Sequence, residues 1–286
     1  MTMLEEKPEI VIAPSKGWAR IDFKDLFDHR DLIFLMVGRD FAAKYRQTIL
    51  GPAWFVIQPL LTTIVFTVIF GNVAKISTDG TPKFLFYLSG LLGWGYFSGV
   101  LNHTGNIFVT QKGLMTKVYF PRLVLPLTAS LSQLIALSIQ IATFLGFYTY
   151  YLFFTAWGDE IRLNWVILLF PLMILQAGVL GLGVGFITSA ASAKYRDLNF
   201  LLSFLVQIWM YATPIIYPFS KIPEKYQLWM ALNPMTTIVE TIKYGFLGVG
   251  GVSMANFLIS LTVSLAVFFF GAAIFKRTER RFVDTV

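Results

Sequence analysis

Residues 123–158 read LVLPLTASLSQLIALSIQIATFLGFYTYYLFFTAWG, with no Asp, Glu, Lys or Arg. A helix rises about 1.5 Å per residue, so roughly 20 apolar residues cross a hydrocarbon core about 30 Å thick. This segment is long enough with residues to spare. Further charge-free runs occupy 47–74, 84–111, 163–193, 198–220 and 244–275. The sequence therefore predicts an all-α membrane protein with six transmembrane helices.

Composition agrees with that reading. Of the 286 residues 56% are hydrophobic and 14% charged, where a soluble domain carries about 25% charged residues. The absence of cysteine excludes a disulfide, a thiolate metal site and a Cys nucleophile. The first charge-free run begins at Gln47, behind a charged segment, so no cleavable signal peptide is expected. The expected organisation is an N-terminal segment 1–46, a six-span membrane domain 47–276 and a short tail 277–286.

Positive charge orients the chain. Seventeen of the 23 Lys and Arg lie before span 1, after spans 2 and 4, or in the tail. The six others are Lys75, Lys83, Arg162, Lys221, Lys225 and Lys243. Cytoplasmic loops carry the Lys/Arg excess, so both termini are expected in the cytoplasm. The net charge of +7 then reflects topology and contact with anionic lipid. It is spread over separate loops, so no nucleic-acid partner is expected.

Between spans 5 and 6 lies PFSKIPEKYQLWMALNPMTTIVETIK, residues 218–243. Its uncharged part, 226–239, is too short to span and is broken at Asn233-Pro234. Pro223 and Pro234 suit the first turns of two short helices. The expectation is a re-entrant helical hairpin; the alternative is an amphipathic loop on the outer surface. Before span 1, Phe23, Leu26, Phe27, Phe34, Val37, Phe41 and Tyr45 fall mostly at helical spacing among acidic and basic residues. That pattern predicts an amphipathic helix in the cytoplasmic headgroup plane, or one packed on a partner protein.

Catalytic patterns are missing. No GxSxG, HExxH or GxxxxGK[ST] is present, and neither His29 nor His103 has a partner at metal-ligand spacing. No metal and no cofactor bound by this chain is expected, nor an enzymatic role. Gly181, Gly185 and Ser189 recur every four residues within GVLGLGVG and its continuation, a helix-packing ridge. Asn102, His103 and Asn106 form one polar stripe in span 2. Trp209, Tyr211, Tyr217 and Trp229 concentrate around span 5 and the hairpin. They are either interfacial belt residues or stacking surfaces for sugars along a channel.

Three motifs carry a resemblance. The chain reads RDFAAKYRQTILGPAWFVIQP (39–59), QKGLMTKVYFPRLVLPL (111–127) and NPMTTIVETIKYGFLG (233–248). These resemble the membrane subunits of ABC-type polysaccharide and polyol-phosphate exporters, the Wzm, KpsM and TarG family. The resemblance implies a homodimeric permease of the bacterial inner membrane with both termini cytoplasmic. Two copies of a separate ATPase would bind the ATP and magnesium, and the cargo would be a lipid-linked glycan such as O-antigen, capsule or teichoic acid. It also implies that Gln111, Lys112, Lys117, Tyr119, Pro121 and Arg122, helped by Lys194 and Arg196, contact the ATPase. Competing readings are a permease for a small drug or lipid and a membrane-embedded lipid-linked sugar transferase. The latter calls for paired carboxylates near the membrane surface, and the only such pair expected on the outside is the adjacent Asp159 and Glu160.

Overall fold

The computed structural model describes residues 23–45, 48–115, 120–195, 197–251 and 253–283. These are helical with no strand. Two helices precede the bundle: α1 (Phe23–Asp28) and α2 (Arg30–Tyr45). The first long element is Gly51–Val73, in which α3 (Trp54–Phe66) continues as a π-helix over Thr67–Val73. Next come α4 (Lys83–Gly105) and two single turns, α5 (Ile107–Thr110) and α6 (Lys112–Met115). α7 (Val124–Phe154) and α8 (Phe170–Lys194) follow, then α9 (Leu198–Tyr211), α10 (Glu224–Leu232), α11 (Pro234–Leu247) and α12 (Met254–Val283).

Five of these elements are long and apolar enough to cross a bilayer: Gly51–Val73, Lys83–Gly105, Val124–Phe154, Trp165–Lys194 and Met254–Glu279. The fifth charge-free run differs from expectation. Its helix has only 14 residues and ends at Tyr211, where Thr213-Pro214 turns the chain, because proline disfavours helical backbone in the residue before it. The last long helix also starts later than its charge-free run, at Met254, and runs past 276 without a break.

Around α4 the bundle is close-packed. α8 runs parallel to it, with Gly178 against Tyr96, Gly181 against Phe97 and Val100, and Gly185 against Thr104. A Cβ on Gly185 would lie 2.5 Å from the Thr104 Cβ. Ser189 is fully buried on the same ridge. On its other side α8 meets α12, also parallel. A Cβ on Gly183 would come within 2.7 Å of the Phe268 backbone, and one on Gly271 would strike the Gly183 carbonyl. Backbone cannot yield as a flexible side chain can. Gly183→Leu is therefore expected to cost at least the roughly 1–3 kcal/mol of an overpacked core, measurable as a lowered detergent melting temperature.

The hairpin between α9 and α12 is present as two helices, and its tip is deep. Asn233 at the tip meets Trp209, whose ring packs on Trp94 and Phe97 of α4. Trp94 lies 11 residues into α4, about 16 Å along the axis. α11 then returns through the bundle with nearly every residue buried.

The N-terminal segment turns apolar residues to two sides. Leu26, Ile33, Met36 and Val37 are the buried residues there, and α2 lies along α7. Phe27 and Phe34, expected on that same face, are 65% and 68% exposed, with Leu35 beside them. Leu26, Ile33 and Val37 keep helical spacing across the turn at His29, so one buried face runs through both helices and Phe27 and Phe34 lie to the side of it. Phe41 stacks on Phe55 at 6.1 Å; the side chains of Phe23 and Tyr45 lie outside the described residues.

Candidate functional site

Glycines on α4 make room for the main polar feature. Gly95 and Gly99 face α7, where a Cβ would lie 3.4 Å from Gln140 Oε1 and 2.6 Å from Gln133 Oε1. The two glutamine amides occupy that space and border a partly open groove of about 510 Å³. α3 contributes Gln58 and Thr62, one turn apart, and α4 contributes Ser98 and Asn102 at the same interval. Trp54, Trp94 and Met210 supply apolar wall. Among the described residues no Asp, Glu, Lys or Arg lines it. Amides and hydroxyls offer hydrogen bonds to a hydrophilic solute without a fixed charge to hold it. Of these residues only Asn102 stood out in the sequence; Gln133 and Gln140, seven apart in a charge-free run, were the available signal.

A second polar cluster braces the groove from the hairpin side. Asn233 Oδ1 accepts from the Trp209 indole N–H at 2.9 Å and from the Met235 backbone N–H at 3.1 Å. Its amide donates to Thr213 Oγ1 at 3.1 Å. One side chain thus caps α11, holds Trp209 and ties down the turn after α9. Asparagine is favoured at a helix N-cap and proline at the first helical position. Lys243 is 1% exposed. Its ammonium donates to the carbonyls of Pro214 and Ile215, lies 3.8 Å from Glu240 Oε1 and sits over the Phe86 ring at 3.7 Å. Irregular backbone inside a bundle needs such partners, because no helix satisfies its carbonyls.

The aromatic candidates separate by position. Trp209 is half-buried, its N–H used by Asn233 and its ring packed on Trp94 and Phe97. The Tyr217 hydroxyl donates to the Tyr211 carbonyl at 3.2 Å, while Tyr211 and Trp229 are 45% and 71% exposed.

The loop residues also separate. Lys117, Tyr119 and Arg196 lie outside the described residues. Gln111 follows α5, and Lys112 opens α6. Pro121 precedes α7, accepting from the Val124 N–H at 2.9 Å. Lys194 places its ammonium over the Tyr195 ring at 4.9 Å. Arg122 is tied inward: Nη1 donates to the Glu279 carbonyl at 3.0 Å, and Nε lies 3.9 Å from the Glu279 carboxylate. His103 and Asp40 border the same small cavity beside α5, with Gln111 and Thr128. Among the described residues no cluster of His, Cys, Asp and Glu could hold a metal ion.

Residues 31–247 match the family model for the ABC-2 type transporter, and the chain belongs to that family. It is 28% identical over 267 residues to the O-antigen export system permease protein RfbA of Myxococcus xanthus, covering 92% of this chain and 98% of that one. A permease of the same name from Klebsiella pneumoniae is 25% identical, over 89% of this chain and 94% of its own. The polysialic acid transport protein KpsM of Escherichia coli is 24% identical, over 87% and 93%. The family match runs from α2 to the end of α11, hairpin included.

Proposed function

We propose that this chain is the membrane subunit of an ATP-driven exporter that moves a lipid-linked polysaccharide across the bacterial inner membrane. One observation carries the reading: near full-length similarity to permeases named for O-antigen export and polysialic acid transport. The uncharged polar groove supports it, because a long hydrophilic chain slides best past surfaces that bond to it weakly. Two copies of the chain form the channel, and two copies of a separate ATPase supply the work. The ATPase contacts the loop from Gln111 to Arg122, with Lys194 and Arg196 nearby, and both termini are cytoplasmic. Tyr211, Tyr217 and Trp229 are the aromatic candidates for sugar contact, and the packing of Trp209 on Trp94 and Phe97 favours a supporting role for it.

Two measurements test this. Single cysteines introduced into the naturally Cys-free chain at Lys117 and Arg280 are expected to resist labelling from outside intact cells, whereas those at Asp79, Asp159 and Lys221 react. Outside labelling at 117 overturns the orientation. Lys112→Glu with Lys117→Glu is expected to lower surface glycan at least tenfold, read by periodate–hydrazide labelling of intact cells, without loss of membrane insertion. Charged hydrogen bonds there are worth about 1.5–3 kcal/mol each. Arg122 is a poorer probe, because its reversal also breaks the tie to Glu279. Normal export by the double variant removes the coupling role from this loop.

A further inference from the structure

We propose that α12, locked to α8, is a strut that carries displacement of the loop before α7 to the start of α11, with Gln176 and Ser260 as positioning residues at its far end. The inference rests on the exporter reading, in which that loop meets the motor.

Three features along α12 support it. At one end, Arg122 reaches from the loop to the backbone and side chain of Glu279 and is itself 14% exposed. In the middle, Gly183 and Gly271 bring the α8 and α12 backbones into contact. Phe275 is fully buried there, 4.9 Å from the Phe186 ring of α8 and 5.1 Å from the Phe108 ring of α5. A helix gripped this way moves with its neighbour and not past it.

At the other end a polar chain crosses three helices. Gln176 of α8 is 2% exposed. Its Nε2 donates to Ser260 Oγ at 2.6 Å and to Ser264 Oγ at 3.2 Å. Ser260 Oγ in turn donates to the Pro234 carbonyl at 3.1 Å, and Ser264 Oγ to the Ser260 carbonyl at 2.8 Å. Every donor is used, while Gln176 Oε1 is left buried without a partner. A leucine would fill similar volume without that orphan oxygen, so the amide is costly packing and is explained by the tie it makes. Pro234 follows Asn233, which holds Trp209 against Trp94 on the groove wall. Nineteen residues separate Ser260 from Glu279, about 28 Å of helix. The strut therefore joins the loop to the wall across most of the membrane.

The test uses the full chain with its partner ATPase. Nitroxide labels at Tyr226→Cys on α10 and Tyr150→Cys on α7 report movement of the hairpin when ATP and vanadate are added. With the ties intact the distance distribution shifts. In the Gln176→Leu, Ser260→Ala, Ser264→Ala triple variant the shift is lost, while ATP hydrolysis stays within about twofold. Thr262→Ala, exposed on the same helix, keeps the shift. Should the triple variant lose its melting transition, Ser264→Ala alone, which removes one of the two amide contacts, decides by a reduced shift. A shift that survives loss of the ties, or none in the unaltered complex, overturns the strut. An unaltered complex that shifts but exports no glycan overturns the exporter reading and leaves the strut standing.

Discussion

Lys243→Met is expected to cost about 3–5 kcal/mol, the range for breaking a buried ion pair from one side. Two losses combine. The Glu240 carboxylate keeps its burial and loses its nearest cation, and the carbonyls of Pro214 and Ile215 lose their donor. Methionine restores the stem's packing against Gly90 and Phe86 but none of the hydrogen bonds. Glu240→Gln is expected to be milder, about 1–2 kcal/mol, because Lys243 retains both carbonyl acceptors. Melting temperatures of the two purified variants in one detergent make the comparison. Equal losses would mean that the salt contact, and not the carbonyl caps, holds the turn after α9.

Filling the groove is the second large effect. Ser98→Phe and Thr62→Phe each direct a ring into the open space of about 510 Å³ instead of into packed neighbours. Both are expected to cut surface polysaccharide at least tenfold with melting temperatures close to the unaltered protein. Bulk placed on the bundle's outer face, as in Leu258→Phe, is expected to leave export unchanged, since Leu258 is 53% exposed there. Normal export by both groove variants would move the polymer's route elsewhere.

Much of this was legible because hydrocarbon thickness imposes a length that sequence records directly. The runs at 84–111, 123–158 and 163–193 became helices within a few residues of their limits. Asn233-Pro234 announced the hairpin tip, since that pair combines a cap with a fixed first turn. Three things were not legible. Charge-free length could not reveal that the run at 198–220 stops being helical at Tyr211, because the partners that make this tolerable, Lys243 and Asn233, come from later in the chain. Which side of α1 and α2 packs was hidden because Leu26 and Val37, and also Phe27 and Phe34, fall at helical spacing, and only packing on the bundle chooses between them. The groove was hidden because its polar residues come in pairs from three separate helices, and only packing brings Gln58, Ser98 and Gln133 together.

The depth of the hairpin tip has an electrical consequence. α11 begins at Pro234, level with the middle of α4, and its peptide dipoles point that end inward. A helix N-terminus carries roughly half a positive charge, here one aromatic layer, Trp209 and Trp94, from the groove. In a low-dielectric setting that partial charge raises the energy of any cation at this level. Neutral sugar feels little of it. On the exporter reading, a passage wide enough for polysaccharide endangers the proton and sodium gradients of the membrane it pierces, and a helix N-terminus buried beside it is expected to disfavour cations more than neutral sugar.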